Sequence, residues 1–210
     1  MKKSLTFLLI VSLAAGCATD DTTERQDAKP DNGVATTLTL IADGQTKSSL
    51  AADGLTVNWD TGDAIGVFAG ATANAQFTST NLNGATADFS GTAETGSTYY
   101  AYFPYASGAA SMSGTTLSLA NAIKSEQTMI DGNIDPAALT TVGRGATQEF
   151  GMSMLGGALK FTATATGSKT IKKITVTSGD ETTVLAGAGT VAMTYDERPT
   201  LTMTCSTKSV

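Results

Sequence analysis
The chain has 210 residues, 41% of them hydrophobic, a formal net charge of −6 and no histidine. The missing histidine removes Ser-His and Cys-His nucleophilic pairs and histidine-ligated zinc sites, and the acidic balance leaves no basic patch to neutralise nucleic-acid phosphates. With 22 glycines, abundant threonine and four prolines, the composition fits globular β-structure without enzymatic function, cofactor or nucleic-acid partner.

Lys2 and Lys3 precede an apolar run from Leu5 to Ala15, and Ala14-Ala15-Gly16-Cys17 is a small-residue cleavage site ending on a thiol. The run is shorter than the roughly 20 residues that a membrane-crossing helix needs. Residues 1–16 therefore read as a removable lipoprotein signal peptide, and Cys17 as the site of lipid attachment. Each buried methylene of an acyl chain contributes roughly 0.8 kcal/mol, so several chains together hold a protein at a membrane. Leu13 stands one position further from the cysteine than lipoprotein signals usually place it, and the alternative is an ordinary cleaved signal that ends near a cysteine. With Cys17 acylated, Cys205 has no partner for a disulfide and reads as a small apolar strand residue.

From residue 18 to residue 33 the chain carries Asp20, Asp21, Glu24, Asp27 and Asp31 and no Val, Leu, Ile, Met or aromatic residue, within a tether expected over 17–33. Such a segment cannot bury a core and is expected to be a flexible tether. Beyond it the period is two. Thr37-Leu38-Thr39-Leu40 alternates within an expected strand over 34–42, and strands are predicted at 55–59 and 64–68 around the turn Asp60-Thr61-Gly62-Asp63. Segments 75–80 and 85–90 flank Asn81-Leu82-Asn83-Gly84, a hairpin signal. The aromatic run 98–103 is a further strand, stopped by Pro104.

Segment 115–119 follows Met112 and a Ser113-Gly114 turn, and 121–148 reads as irregular, with one helical turn at 137–142. Strands are expected again at 150–154, 158–165, 170–177, 182–186, 189–194 and 200–205. Many short strands at regular spacing indicate an all-β sandwich. The composition places a domain boundary near 145–151, giving an N-terminal β-domain over 34–148 and a second over 149–210.

Trp59-Asp60-Thr61-Gly62-Asp63-Ala64-Ile65-Gly66-Val67-Phe68 resembles the W-x-x-G-D-x-I-G-V-F signature of the fimbrillin family, the subunits of type V pili. Further similarities follow in the family's order: Ala87-Asp88-Phe89-Ser90-Gly91, Tyr100-Ala101-Tyr102-Phe103-Pro104-Tyr105, Gln127, Met154-Leu155-Gly156-Gly157-Ala158-Leu159-Lys160-Phe161 and Ile171-Lys172-Lys173-Ile174-Thr175-Val176-Thr177. The resemblance runs from about Thr37 to the end and implies a transthyretin-like, Greek-key β-sandwich. It implies a shaft or accessory subunit of cell-surface fimbriae that mediates adhesion. Such a subunit is delivered as an outer-membrane lipoprotein through Cys17, and its partners are other fimbrial subunits and host glycans or proteins. In shaft subunits an arginine-specific protease removes an N-terminal strand, and a neighbour's strand fills the groove. Arg25 is the matching maturation site but lies ahead of the first strand, while Lys47 follows that strand and suits a protease that accepts lysine. The second domain is shorter than the family's usual one, which leaves a truncated chain or an accessory role open.

Read from the residues alone, Trp59 and Phe68 are inward-facing anchors, Gly62 permits a turn, and Asp63 faces water or turn amides, with Ile65 and Gly66 between them on the strand. Asp60-Thr61-Gly62 also matches the triplet of aspartic proteases, but one copy without a second carboxylate favours a structural turn. Asp131, Asn133 and Asp135 have the alternate spacing of a calcium loop, yet Pro136 and Val142 stand where an EF-hand needs glycine and glutamate, so no metal site is assigned. Tyr100, Tyr102 and Tyr105 are candidate glycan contacts, set against the alternative of alternation on a buried strand. A free-standing glycan- or protein-binding surface lipoprotein is the second functional reading.

Overall fold
Alternation of buried and exposed residues along the chain does produce sheets, and nearly all of the regular structure is strand. The computed structural model describes residues 33–42, 49–50, 57–70, 73–96, 98–128, 130, 135–157, 164, 166–167, 169–180, 182–194 and 198–204. Cys17, Arg25, Lys47, Asp131, Asn133 and Cys205 lie outside the described residues, as do the signal peptide, the tether before Gly33 and most of the strand expected at 158–165.

In chain order the strands are β1 (Val34–Ala42), β2 (Ser49–Leu50), β3 (Val57–Asn58), β4 (Ala64–Ala69), β5 (Ala75–Asn83), β6 (Thr86–Ala93), β7 (Tyr99–Phe103), β8 (Ala110–Ser113), β9 (Thr116–Ile123), β10 (Thr141–Gly145), β11 (Glu149–Met154), β12 (Gly187–Ala192) and β13 (Thr200–Met203). Among the described residues the helical content is one 3₁₀ turn, Pro136–Ala138, and no helix is long and apolar enough to cross a membrane. Seven strands close a ring in the order β1-β11-β10-β7-β4-β5-β6. Neighbours are antiparallel except β1 and β11, which run parallel where Thr39 to Ala42 face Glu149 to Met152. A second, antiparallel sheet has the order β13-β12-β9-β8, and β2 pairs with β3 as a short ribbon.

Period-two patterning places the core. On β1, Leu38, Leu40 and Ala42 point into the ring, while Thr39 on the outer face donates from Oγ1 to Asp88 Oδ1 at 2.7 Å. Thr36 also faces inward, and its hydroxyl is satisfied locally by donation to the Val34 carbonyl at 2.9 Å. The ring interior holds Trp59, Ile65, Phe77, Phe89, Phe103, Phe150 and Met152. Burying each such side chain contributes about 1.5–3 kcal/mol. The outer faces of β4, β7 and β10 supply Phe68, Tyr102 and Val142 to a second core, completed from the other sheet by Leu117, Leu119, Ala122, Val191 and Met193. The two sheets are thus layered face to face across this cluster, with one core inside the ring and the other between ring and sheet.

Several expectations shift. The hairpin loop expected at Asn81 to Gly84 is shorter: β5 runs on to Asn83 and the turn is Gly84-Ala85, because a glycine suits the first position of a two-residue loop. The segment expected to be irregular up to residue 148 contains β10, and the helical turn expected at 137–142 is the 3₁₀ turn Pro136–Ala138. Residues 170–177 and 182–185 are not in ladder strands. In an extended chain each face there mixes apolar and charged residues, Ile171 with Lys173 on one and Ile174 and Val176 with Lys172 on the other, and Ile174 is 40% exposed. The boundary expected between 148 and 149 falls inside a shared sheet, since β11 pairs with both β10 and β1, and Asn32 to Val210 form one compact unit.

Candidate functional site
The signature residues 59–68 form a turn and a strand whose side chains reach both cores. Trp59 is 3% exposed and meets Phe89 and Phe103 edge-on, with ring centroids 4.9 and 5.4 Å apart. Such T-shaped pairs contribute about 0.5–1.5 kcal/mol beyond the area they bury. The turn that follows closes on itself: Asp60 N donates to Asp63 Oδ2 at 2.8 Å and Asp63 N to the Asp60 carbonyl at 3.2 Å. Gly62, at φ 90°, adopts a conformation that a side chain would strain.

Ser79 of β5 locks that turn to the ring. Its Oγ accepts from Gly62 N at 3.0 Å and donates to the Asp60 carbonyl at 2.9 Å, and its own amide donates to the Asp63 carbonyl at 2.9 Å. The Asp63 carboxylate is therefore a turn cap, and the backbone of the Asp60-Thr61-Gly62 triplet is held in the turn by Asp63 and Ser79. Among the described residues no group of three or more Cys, Asp and Glu side chains could hold a metal ion. Asp135 caps the 3₁₀ turn, with Oδ1 accepting from Ala137 N at 3.0 Å and Oδ2 from Thr128 N at 2.9 Å.

Along β4 the faces alternate. Ile65, Val67 and Ala69 enter the ring, whereas Phe68 lies between the layers, stacked on Tyr102 with centroids 6.3 Å apart. The two expected inward anchors thus split: Trp59 fills the ring and Phe68 the interlayer. Gly66 has the Tyr102 ring directly over its Cα, so that a Cβ there would overlap the ring and the Asn74 side chain.

The aromatic strand β7 obeys the same rule. Tyr99, Ala101 and Phe103 face the ring interior, and Tyr100 and Tyr102 face the second sheet. Tyr102 is 2% exposed; its hydroxyl accepts from Asn74 Nδ2 at 2.8 Å and donates to the Ala106 carbonyl at 3.1 Å. Burial pushes its pKa above the ordinary 10.0, and the bonds from Asn74 and with Ala106 only partly offset that. Tyr100 is half-buried beneath the Arg144 guanidinium, 5.2 Å from its ring centre. Arg144 Nη1 donates to the Met193 carbonyl at 2.8 Å and so ties β10 to the end of β12. Tyr105 packs against the interlayer cluster, its amide bonded to the Ala64 carbonyl at 2.8 Å.

Of the candidate glycan contacts, Tyr102 is buried and is not accessible to a sugar, while Tyr100 and Tyr105 are half-buried. Strand alternation turns Tyr100 and Tyr102 toward the second sheet, and all three rings pack against the interlayer cluster, Tyr102 within it and Tyr100 and Tyr105 at its border. Sequence reasoning missed Ser79, Asn74 and Arg144. Ser79 looks like one more hydroxyl in an alternating strand, and Arg144 sits in a Gly-Arg-Gly context that carries no apolar period. A shallow cleft opens beside Arg144, lined also by Gly151, Ser153, Thr194 and Pro199. The sequence matches no protein-family model and no curated protein, and no solved structure matches the chain.

Proposed function
We propose that the chain is a structural subunit, shaft or accessory, of cell-surface fimbriae, with a Greek-key, transthyretin-like sandwich as its fold. In this reading it is exported as a lipoprotein, held to the outer membrane through acylated Cys17, assembled with other subunits by strand addition, and acts in adhesion. The observation that carries the proposal is the ordered series of motifs from Thr37 onward, whose Trp59 to Phe68 signature serves packing rather than chemistry.

Two further features support it. The signature turn is bound into the fold, with Asp63 capping the Asp60 amide and Ser79 bridging Gly62 and Asp60, which fits a structural module. Strand β1 lies between β6 and β11, so its removal would leave two unpaired strand edges facing one another, the arrangement that strand addition needs. In sequence, Arg25 precedes β1 and Lys47 follows it, so only cleavage at the latter would free the strand. The alternative of a free-standing glycan- or protein-binding lipoprotein is weakened at Tyr102, which is buried, while Tyr100 and Tyr105 are half-buried.

The test is polymerisation. Purified full-length precursor treated with trypsin should give a ladder of bands on an unboiled denaturing gel, and mass spectrometry should report which of Arg25 and Lys47 was cut. Clean N-terminal cleavage with only monomer would reject the shaft role, and a mature protein from cells without acyl mass on Cys17 would reject the lipoprotein route.

A further inference from the structure
Two buried polar side chains at one end of the ring interior have no hydrogen-bond partner among the described residues: the indole Nε1 of Trp59, 3% exposed, and the hydroxyl of Thr141, fully buried. Both adjoin the same ring. Trp59 meets Phe103 edge-on at 5.4 Å between centroids, and Thr141 is the cross-strand partner of Phe103 on β10. Directly opposed residues share a sheet face. Thr141 therefore points into the ring with Phe103, and its partner on the other side, Met154, belongs to the same core. A donor and a hydroxyl thus both border Phe103, in a core whose other members include Leu139 and Met154.

An indole N–H can only donate, while a hydroxyl can donate and accept. Leaving either unmet in an apolar core costs on the order of 1–3 kcal/mol. The strand ladder on both sides of Thr141 holds its side chain on the ring face, and Trp59 is 3% exposed. The molecule that meets both needs is small, accepts from one group and pairs with a hydroxyl. Buried waters do this with two to four polar partners.

We propose that the Phe103 end of the ring binds one structural water, accepting from Trp59 Nε1 and bonded to Thr141 Oγ1. This explains why the first aromatic of the signature is a tryptophan, whose polar handle would be a liability in a dry core. Phenylalanine would fill similar space without it. The inference is independent of the fimbrial reading and stands or falls on the ring alone.

Trp59 is the one tryptophan of the chain, so a ¹⁵N-labelled sample gives a single indole cross-peak that reports directly on the site. The full chain should show a cross-peak between water and the indole proton with the sign pattern of a long-lived bound molecule. Thr141→Val, which keeps the shape and removes the hydroxyl, should abolish that cross-peak and lower the thermal midpoint by about 2–4 °C. Thr141→Ser, which keeps the hydroxyl, should retain the cross-peak and covers the case in which the valine variant does not fold. Two results overturn the proposal. One is an indole proton without a water cross-peak and shifted upfield, bonded to the face of a phenylalanine ring. The other is a cross-peak that persists in Thr141→Val, or a midpoint that rises there, as removing an unpaired hydroxyl would cause.

Discussion

The two cores of this protein are built from opposite faces of the same strands, yet they hold different chemistry. Inside the ring, Leu38, Leu40, Ile65, Phe77 and Phe89 are fully buried and the aromatic rings meet edge to face. Between the layers stand amphipathic side chains, Tyr100, Tyr102 and Arg144, whose polar tips reach an amide, a carbonyl or another ring. The difference follows from closure. The ring interior meets its few polar groups locally, as Thr36 does at the Val34 carbonyl, whereas the interlayer edge offers the loop at Asn74 and Ala106 and the strand end at Met193. Large-to-small substitution should thus hurt most inside the ring. Phe89→Ala, which removes a fully buried ring packed against Trp59, should cost about 3–5 kcal/mol. Chemical denaturation followed by the fluorescence of Trp59 measures this, and a loss below about 1 kcal/mol would mean that the ring interior is no tighter than the interlayer.

Added volume should hurt in the interlayer as well. A Gly-to-Ala change in a strand interior ordinarily gains about 0.5–1 kcal/mol through the backbone. At Gly66 the new methyl would collide with the Tyr102 ring, and overpacking of this kind costs about 1–3 kcal/mol, so the net effect should be destabilising. Combining Gly66→Ala with Tyr102→Ala should cost less than the sum of the two single changes. Additivity would show that the layers can separate locally, and the contrast between the cores would weaken.

Tyr102→Phe isolates the polar part of the interlayer. Loss of the bonds with Asn74 and Ala106 should cost about 1 kcal/mol near neutral pH. The pH dependence has a definite sign. Burial raises the folded pKa above the unfolded value near 10.0, so the phenol keeps its proton longer in the folded state. Its contribution is fully present below the ordinary value and is lost as pH rises through the folded one. Stability of the parent should therefore decline above about pH 10 more steeply than that of Tyr102→Phe, as read by urea midpoints across that range.

Much of this contrast was legible in the sequence where alternation is regular. Leu38 and Leu40 against Thr37 and Thr39, and Tyr99, Ala101 and Phe103 against Tyr100 and Tyr102, reveal two faces without coordinates. What alternation does not reveal is what lies behind each face. The same tyrosines read as a platform for sugar or as packing, and only the placement of β9 and β12 over β7 and β10 decides between them. Strand β10 escaped because Gly143 and Gly145 interrupt its pattern, although both are close-approach positions: a Cβ on Gly143 would press on Met152, and one on Gly145 on the Phe150 ring. The Ser79 clamp escaped because a side chain that bonds a turn 19 residues earlier leaves no local signal.

A third kind of region sets the lower bound of the comparison. Across 169–185 the described residues form no ladder strand beyond a single bridge at Thr177, and the turn at 178–183 is held by local hydrogen bonds. Asp180 Oδ1 accepts from the amides of Thr182 and Thr183 at 2.8 and 2.6 Å and from the Thr182 hydroxyl at 2.9 Å, while Oδ2 accepts from the Thr183 hydroxyl at 2.6 Å. These bonds, chiefly those from Thr183, hold its carboxyl well below the usual carboxylate range. A depressed folded pKa means that the turn's stabilisation is complete above the ordinary value of 3.8 and is lost as pH falls through the folded one. Because the group is fully exposed, the effect should stay local. Asp180→Asn, which weakens the acceptor by removing its charge, should speed hydrogen exchange at the Thr182 and Thr183 amides at neutral pH and leave the global unfolding midpoint unchanged. A fall in that midpoint would show that this stretch is coupled to the cores, and that pairing in a ladder is not what separates the rigid parts of the chain from the rest.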